Sequence, residues 1–148
     1  MPRISCFLFV LFCLALPGQA AGQSWRPPVP QMPQMPMLSE LTGDWLGARA
    51  PWFGEVEALS GVPVSALQAA GEPRSGTKHL RIVRFSKGVL PVVVWSDRNG
   101  DTRSDMIEIY KTGGVIIQLI DADFDGEGNV IRFYDASGAL LREERMGG

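Results

Sequence analysis

The sequence predicts a mainly β protein, a C-terminal antiparallel β-hairpin repeat sheet with a short α-helical segment before it. Three observations predict it. Six short runs rich in β-branched and aromatic residues crowd the chain from His79 onward. A shift of 24 residues superposes two stretches of that region on each other. Helical spacing and helix punctuation occur only upstream, between Met37 and Gly71.

The elements follow in chain order. Residues 1–20 read as a signal peptide: Arg3 supplies the positive charge, "ISCFLFVLFCLALPG" the apolar run, and Gly18, Ala20 and Ala21 a small-residue exit with cleavage after Ala20. The run is shorter than the roughly 20 residues that span a bilayer, so a membrane is met only if this leader stays uncleaved. Both cysteines, Cys6 and Cys13, lie inside it, and the processed chain has no disulfide, thiolate metal ligand or cysteine nucleophile. Phe12 before Cys13 is not the small residue of a lipid-attachment site. The expectation is an exported protein, periplasmic or extracellular.

The formal net charge is −2, one unit more negative once Arg3 is removed, and basic residues are scattered, which argues against nucleic acid as a partner. Residues 21–38 read as a Pro-rich linker: "SWRPPVPQMPQMP" has five prolines, no apolar periodicity and a Gln-Met-Pro repeat, the composition of an extended spacer. Residues 39–72 read as the helical segment. Pro51 suits a first helical position, Trp52, Phe53, Val56 and Leu59 follow at helical spacing, and Gly61 ends the run. Pro63 to Ala70 repeats the device with Gly71 as its stop. "ALSGVPVSAL" has the outline of a helix-turn-helix, but the export signal and the lack of nearby basic residues favour two short helices joined at Gly61.

Residues 73–148 read as the hairpin repeat domain, with strands "HLRIVRF", "VLPVVVW", "MIEIY", "VIIQLI", "VIRFY" and "ALLRE". The continuous apolar runs at Val92 to Trp95 and Val115 to Ile120 imply strands covered on both faces, by the upstream helices or a second sheet. The repeat unit is acidic loop, strand, Y-x-x-x-G turn, strand, with a degenerate earlier copy from Phe85 to Trp95 that has lost its acidic loop. Hairpin repeats bury a core only against neighbours and end in polar caps, which the closing "REER" supplies.

Six of the eight aspartates fall between Asp97 and Asp125, in "DRNGDTRSD" and "DADFDGEGN". Side-chain oxygens at positions 1, 3 and 5, a carbonyl at 7 and a side chain at 9 are the spacing that wraps a calcium ion. Gly126 stands at position 6 of the second loop, where the chain must turn sharply; the first has Thr102 there and its glycine at Gly100. An EF-hand is disfavoured, because Arg132 stands at position 12 of the second loop and the flanks read as strands.

Both nonapeptides resemble the D-x-[DN]-x-D-G-x-x-[DN] calcium loops of secreted β-repeat proteins of the FG-GAP, dockerin-like and thrombospondin type 3 kinds. Together with Y-x-x-x-G they are similar to the short Asp-rich hairpin repeats of exported bacterial proteins. The resemblance covers Asp97 to Arg145. It implies structural calcium on Asp97, Asn99, Asp101, Asp105, Asp121, Asp123, Asp125 and Asn129.

Two other readings of the same residues stay open. Asp, Asn and Gly are ordinary turn residues and form hairpin connections without an ion. A carboxylate hydrolase needs one acid set apart by an apolar or like-charged pocket, whereas acids at equivalent points of a repeat have equivalent environments. His79 reads as a surface residue, and Ser96 and Ser104 lack a nucleophile's partners. The expectation is a non-enzymatic calcium-binding module that binds a partner protein or surface polymer. The alternative is an ion-independent interaction or inhibitor protein.

Overall fold

The structure is a computed structural model that describes residues 24–73 and 79–147. The leader with its two cysteines, and most of the polar turn expected at 72–76, lie outside the described residues. Seven strands form one antiparallel sheet in sequence order: β1 (Gln68–Pro73), β2 (Leu80–Lys87), β3 (Leu90–Ser96), β4 (Met106–Lys111), β5 (Gly114–Ile120), β6 (Val130–Tyr134) and β7 (Leu140–Arg145). Two short helices precede them, α1 (Gly43–Ala48) and α2 (Ala50–Ser60).

The repeat governs the sheet. Hairpins β2–β3, β4–β5 and β6–β7 each carry a register shift, after Phe85, Ile109 and Phe133, at intervals of 24 residues. An equal bulge in each hairpin gives each the same extra twist, so the units stack in phase. Two rows of cross-strand partners make the buried face: Val83, Trp95, Ile107, Leu119 and Ile131, and Phe85, Val93, Ile109, Ile117 and Phe133. On β7 these rows end in Glu144 and Arg142, with the Arg142 guanidinium 4.5 Å over the Phe133 ring. Charged heads with apolar stems cover the end of the core and leave the edge strand wet. The opposite face buries Val94, Ile120 and Val130 and is otherwise half-buried and polar, with Glu108, Gln118, Tyr110 and Tyr134 joined through hydrogen bonds of 2.6–3.1 Å. Burial and the neighbouring Glu108 carboxylate push the Tyr110 hydroxyl up to about 12.

α2 lies over β3 and β4, starting with Pro51 in its first turn and ending at Gly61, whose φ of 73° a residue without Cβ adopts freely. It buries Phe53, Val56 and Leu59, and Phe53 stacks on Trp95 at 5.8 Å while meeting Phe85 edge-on at 4.8 Å. Trp45 of α1 stacks on Phe85 at 5.5 Å. Such aromatic contacts add about 0.5–1.5 kcal/mol each beyond area burial.

Pro63–Ala70 is not a second helix. It is a single 3-10 turn at Val64–Ala66, followed by β1, which pairs with β2 from Gln68↔Ser86 onward. Pairing with a neighbouring strand overrides a weak local helical preference. Gly71, read as a helix stop, sits inside β1, where an added Cβ would lie 2.6 Å from Leu80 Cδ1.

The segment expected to act as a spacer packs onto the sheet. Trp25, Met32 and Met35 are buried members of the core, and bridges Gln31↔Glu127, Gln34↔Arg103 and Met37↔His79 carry the chain across one end of the hairpins. His79 is correspondingly half-buried. Removing the Met35 side chain beyond Cβ (Met35→Ala) is expected to lower the free energy of unfolding in urea by about 2–5 kcal/mol, as for other buried large-to-small changes. A spacer residue there would leave the midpoint unchanged.

Candidate metal centre

The two acidic loops, 97–105 and 121–129, connect consecutive hairpins and are built alike. The position-9 N–H closes each by donating to the carbonyl before position 1: Asp105 to Ser96 at 2.8 Å and Asn129 to Ile120 at 2.9 Å. The position-1 N–H donates to a carbonyl one repeat earlier, Asp97 to Arg81 and Asp121 to Asp105. Arg81 therefore stands where position 9 of a preceding repeat would fall, and the sequence 73–81 carries no carboxylate.

Inside each loop the carboxylates accept backbone N–H bonds. Asp97 takes those of Gly100 and Thr102, and Asp121 takes those of Phe124 (2.7 Å) and Gly126 (2.8 Å). Position 5 takes the N–H of position 7, in Asp101 from Arg103 and in Asp125 from Glu127, both at 2.8 Å. Positions 4 and 6 are left-handed in both loops: Gly100 and Thr102 have φ of 83° and 77°, Phe124 and Gly126 have φ of 62° and 95°. Each loop thus places glycine at one of its two left-handed positions and holds an ordinary residue in the other, at a cost of roughly 1–2 kcal/mol. The displaced glycine of the first loop does not change its path.

Asp121, Asp123 and Asp125 come together, with one carboxylate oxygen of each within 4.8 Å of the others. Asp121 is buried and the other two exposed. Hard carboxylate oxygens at that separation suit a hard divalent cation, and the triad could hold one. Asn129 does not turn its oxygen toward them, since Oδ1 accepts the Ala122 N–H at 2.9 Å and Nδ2 donates to Asp123 Oδ1 at 2.6 Å. In the first loop Asn99 and Asp101 bond to each other, Nδ2 to Oδ2 at 3.1 Å. Asp105 is buried, its Oδ2 accepting the N–H groups of Arg98 and, at 3.0 Å, Asn99. Burial raises the Asp105 carboxyl above the ordinary carboxylate value, with Asp101 and Asp97 adding repulsion, and burial likewise raises Asp121.

Sequence reasoning missed the residues that clamp these loops from outside. Met35 N–H donates to the Thr102 carbonyl and Ser104 N–H to the Pro33 carbonyl, both at 2.9 Å. One repeat on, Met32 N–H donates to the Gly126 carbonyl at 2.9 Å and Gly128 N–H to the Pro30 carbonyl at 3.0 Å. Gly128 packs closely on β5, where an added Cβ would lie 2.7 Å from Leu119 Cδ1. Gln31 Nε2 donates to Glu127 at 3.3 Å. The Gln34 amide, oriented by its surroundings, accepts from Arg103 at 3.0 Å. Arg103 also donates to the Met32 carbonyl, tying both clamps. The tripeptide repetition of Gln-Met-Pro was the available signal.

Beside the second loop lies an open cleft of about 510 Å³, walled by Arg26, Pro27 and Pro30 on one side and Asp123, Asp125 and Glu127 on the other. No helix among the described residues is long and apolar enough to cross a membrane. No family model, no curated protein and no solved structure matches the chain.

Two outcomes follow from the loop geometry. Gly126→Ala puts a Cβ at φ 95° and 3.2 Å from Arg103 Cδ, and is expected to lower the unfolding free energy by about 1–3 kcal/mol in denaturant titration. The raised carboxyls of Asp105 and Asp121 mean that, in chelator, the fold binds their protons more tightly than the unfolded chain does. Their contribution to stability is complete below the unfolded aspartate value and is lost as pH rises through the higher folded values. Carboxyl carbon shifts followed against pH in chelator are expected to place both midpoints above those of Asp in a model peptide.

Proposed function

We propose that the protein is an exported binding module whose repeat sheet is stabilised by calcium in the acidic loops, and that it engages a partner protein or surface polymer. The observation that carries this reading is the convergence of Asp121, Asp123 and Asp125 within 4.8 Å. Three anionic groups so close repel one another unless a cation or protons neutralise them. Calcium is the cation favoured by an all-oxygen set on an irregular loop, since it accepts 6 to 8 ligands at about 2.3–2.6 Å where magnesium demands a near-octahedral cage. The leader-like N-terminus supports export, to a compartment where loops of this kind meet millimolar calcium.

The stabilisation has a simple form. A cation that binds only the folded loops adds RT ln(1 + [Ca]/Kd), about 1.4 kcal/mol at ten times Kd. For a domain of this size that raises the melting midpoint by roughly 4–8 °C per kcal/mol. A partner that needs the loops rigid then binds in calcium and dissociates in chelator.

A second reading has its own support: every carboxylate oxygen of Asp121 already accepts a backbone N–H, so the loops can hold their shape as ion-free turns. The module would then act through its surface whatever the calcium level.

Thermal melts in millimolar calcium, in chelator and in magnesium separate the two. Calcium is expected to raise the midpoint by several degrees and magnesium to do less. Asp123→Asn with Asp125→Asn, both exposed positions, should abolish the response while leaving the chelator midpoint near that of the parent. Bound calcium should also reverse the pH behaviour of Asp121, whose charged form it favours, so that stability falls on acidification. A midpoint indifferent to calcium discards the ion reading and leaves the ion-free module.

A further inference from the structure

Residues 30–37 cross the loops in step with them. Successive bridges to residues 24 apart, His79, Arg103 and Glu127, come from Met37, Gln34 and Gln31, three strap residues for every 24 of the sheet. The strap offers each acidic loop one donor and one acceptor, a Met N–H and a Pro carbonyl, and the intervening prolines have no N–H to leave unpaired.

The bonds it makes fall on residues the loops also use internally. Gly126 donates its N–H to Asp121 Oδ2 and accepts the Met32 N–H at its carbonyl, and Thr102 stands likewise between Asp97 and Met35. Positions 4 and 6 are left-handed, and in each loop one of them is a residue that resists that conformation, so the loop path costs free energy that its bonds must offset. Losing the strap takes away two of those bonds per loop. Arg103 joins the two loops, since its side chain packs on Gly126 and donates to the Met32 carbonyl.

We infer that the strap is a clasp: strap release and the opening of both acidic loops are one cooperative event, distinct from unfolding of the hairpins. The Met32 and Met35 side chains leave the core in that event, and the loops lose their left-handed turns together. A partner that strips the strap opens both loops, and whatever holds the loops closed holds the strap down. The inference goes beyond the calcium reading and does not need it, because the coupling runs through backbone bonds present without an ion.

Native-state amide exchange on the full chain in chelator, with low denaturant added in steps, tests it. Two sets of amides are compared: Met32, Met35, Ser104 and Gly128, whose N–H groups bond across the strap contact, and Thr102, Phe124 and Gly126, whose N–H groups the aspartates hold. Both sets are expected to open with one equilibrium constant, agreeing to within about threefold, and one denaturant dependence, while Ile117 and Ile131 in the hairpins open at least about tenfold more rarely. Gln31→Ala with Gln34→Ala, changes at exposed side chains, should accelerate both sets by the same factor. If the strap amides open more often than the aspartate-held amides, or the double variant accelerates them alone, the clasp is refuted. Exchange of both sets at the hairpin rate refutes it equally, since opening would then be global.

Discussion

The structure depends on a match of two spacings. Neighbouring strands lie about 4.8 Å apart, so a two-strand hairpin repeats every 9.6 Å or so across the sheet. Three residues of an extended polyproline-like chain advance about 9.3 Å. A tripeptide repeat laid across the hairpin ends therefore meets the same loop position in each repeat, and the bridges of Gln31, Gln34 and Met37 to residues 24 apart record that coincidence. Gln suits the bridging position because its amide both donates and accepts. At one repeat it faces the Glu127 carboxylate, at the next the Arg103 guanidinium.

That match explains how a disulfide-free sheet of hairpins closes its core. α2 covers the sheet face at β3 and β4, and the ends of the hairpins would otherwise be open to water at the loops. Met32 and Met35 enter there, and methionine's unbranched chain fills the irregular gap between a loop and two strands. The strap runs from the last repeat back to the first and delivers the chain to α1, above the aromatic cluster of Trp45, Phe53, Phe85 and Trp95. Residues far apart in sequence are thereby bound into one body, with loop closure as the entropic cost.

Much of the sheet was legible in the sequence because period-2 runs, turn residues and a 24-residue repeat are local or translational signals. Pro51 and Gly61 bounded α2 for the same reason. The strand at Gln68–Pro73 was not legible, since "ALQAAGEP" carries no β-branched residue and owes its form to β2. Nor was the docked strap: proline-rich composition reports the absence of regular hydrogen bonding within a segment, not whether its carbonyls and few N–H groups find partners elsewhere. Of the acidic residues, the triad of Asp121, Asp123 and Asp125 followed from spacing alone. The orientation of the Asn129 amide did not, because it is set by competition between the Ala122 N–H and the Asp123 carboxylate.

The array also stops for a reason visible at both of its partners. A further hairpin would need apolar side chains on β7 to continue the two buried rows, and Arg142 and Glu144 stand there instead. The strap ends in step with the sheet. Beyond Pro30 the tripeptide pattern gives way to Trp25, which buries its ring in the core, and to Arg26, which pairs with Glu144. Pairing Glu144 of β7 with Arg26, four residues before the strap, fixes the relative register of the two, since sliding the strap by one tripeptide would break that pair, leave Glu144 to Arg142 alone and expose Trp25. A repetitive strap on a repetitive sheet has no intrinsic register, and these unrepeated residues at its end supply one.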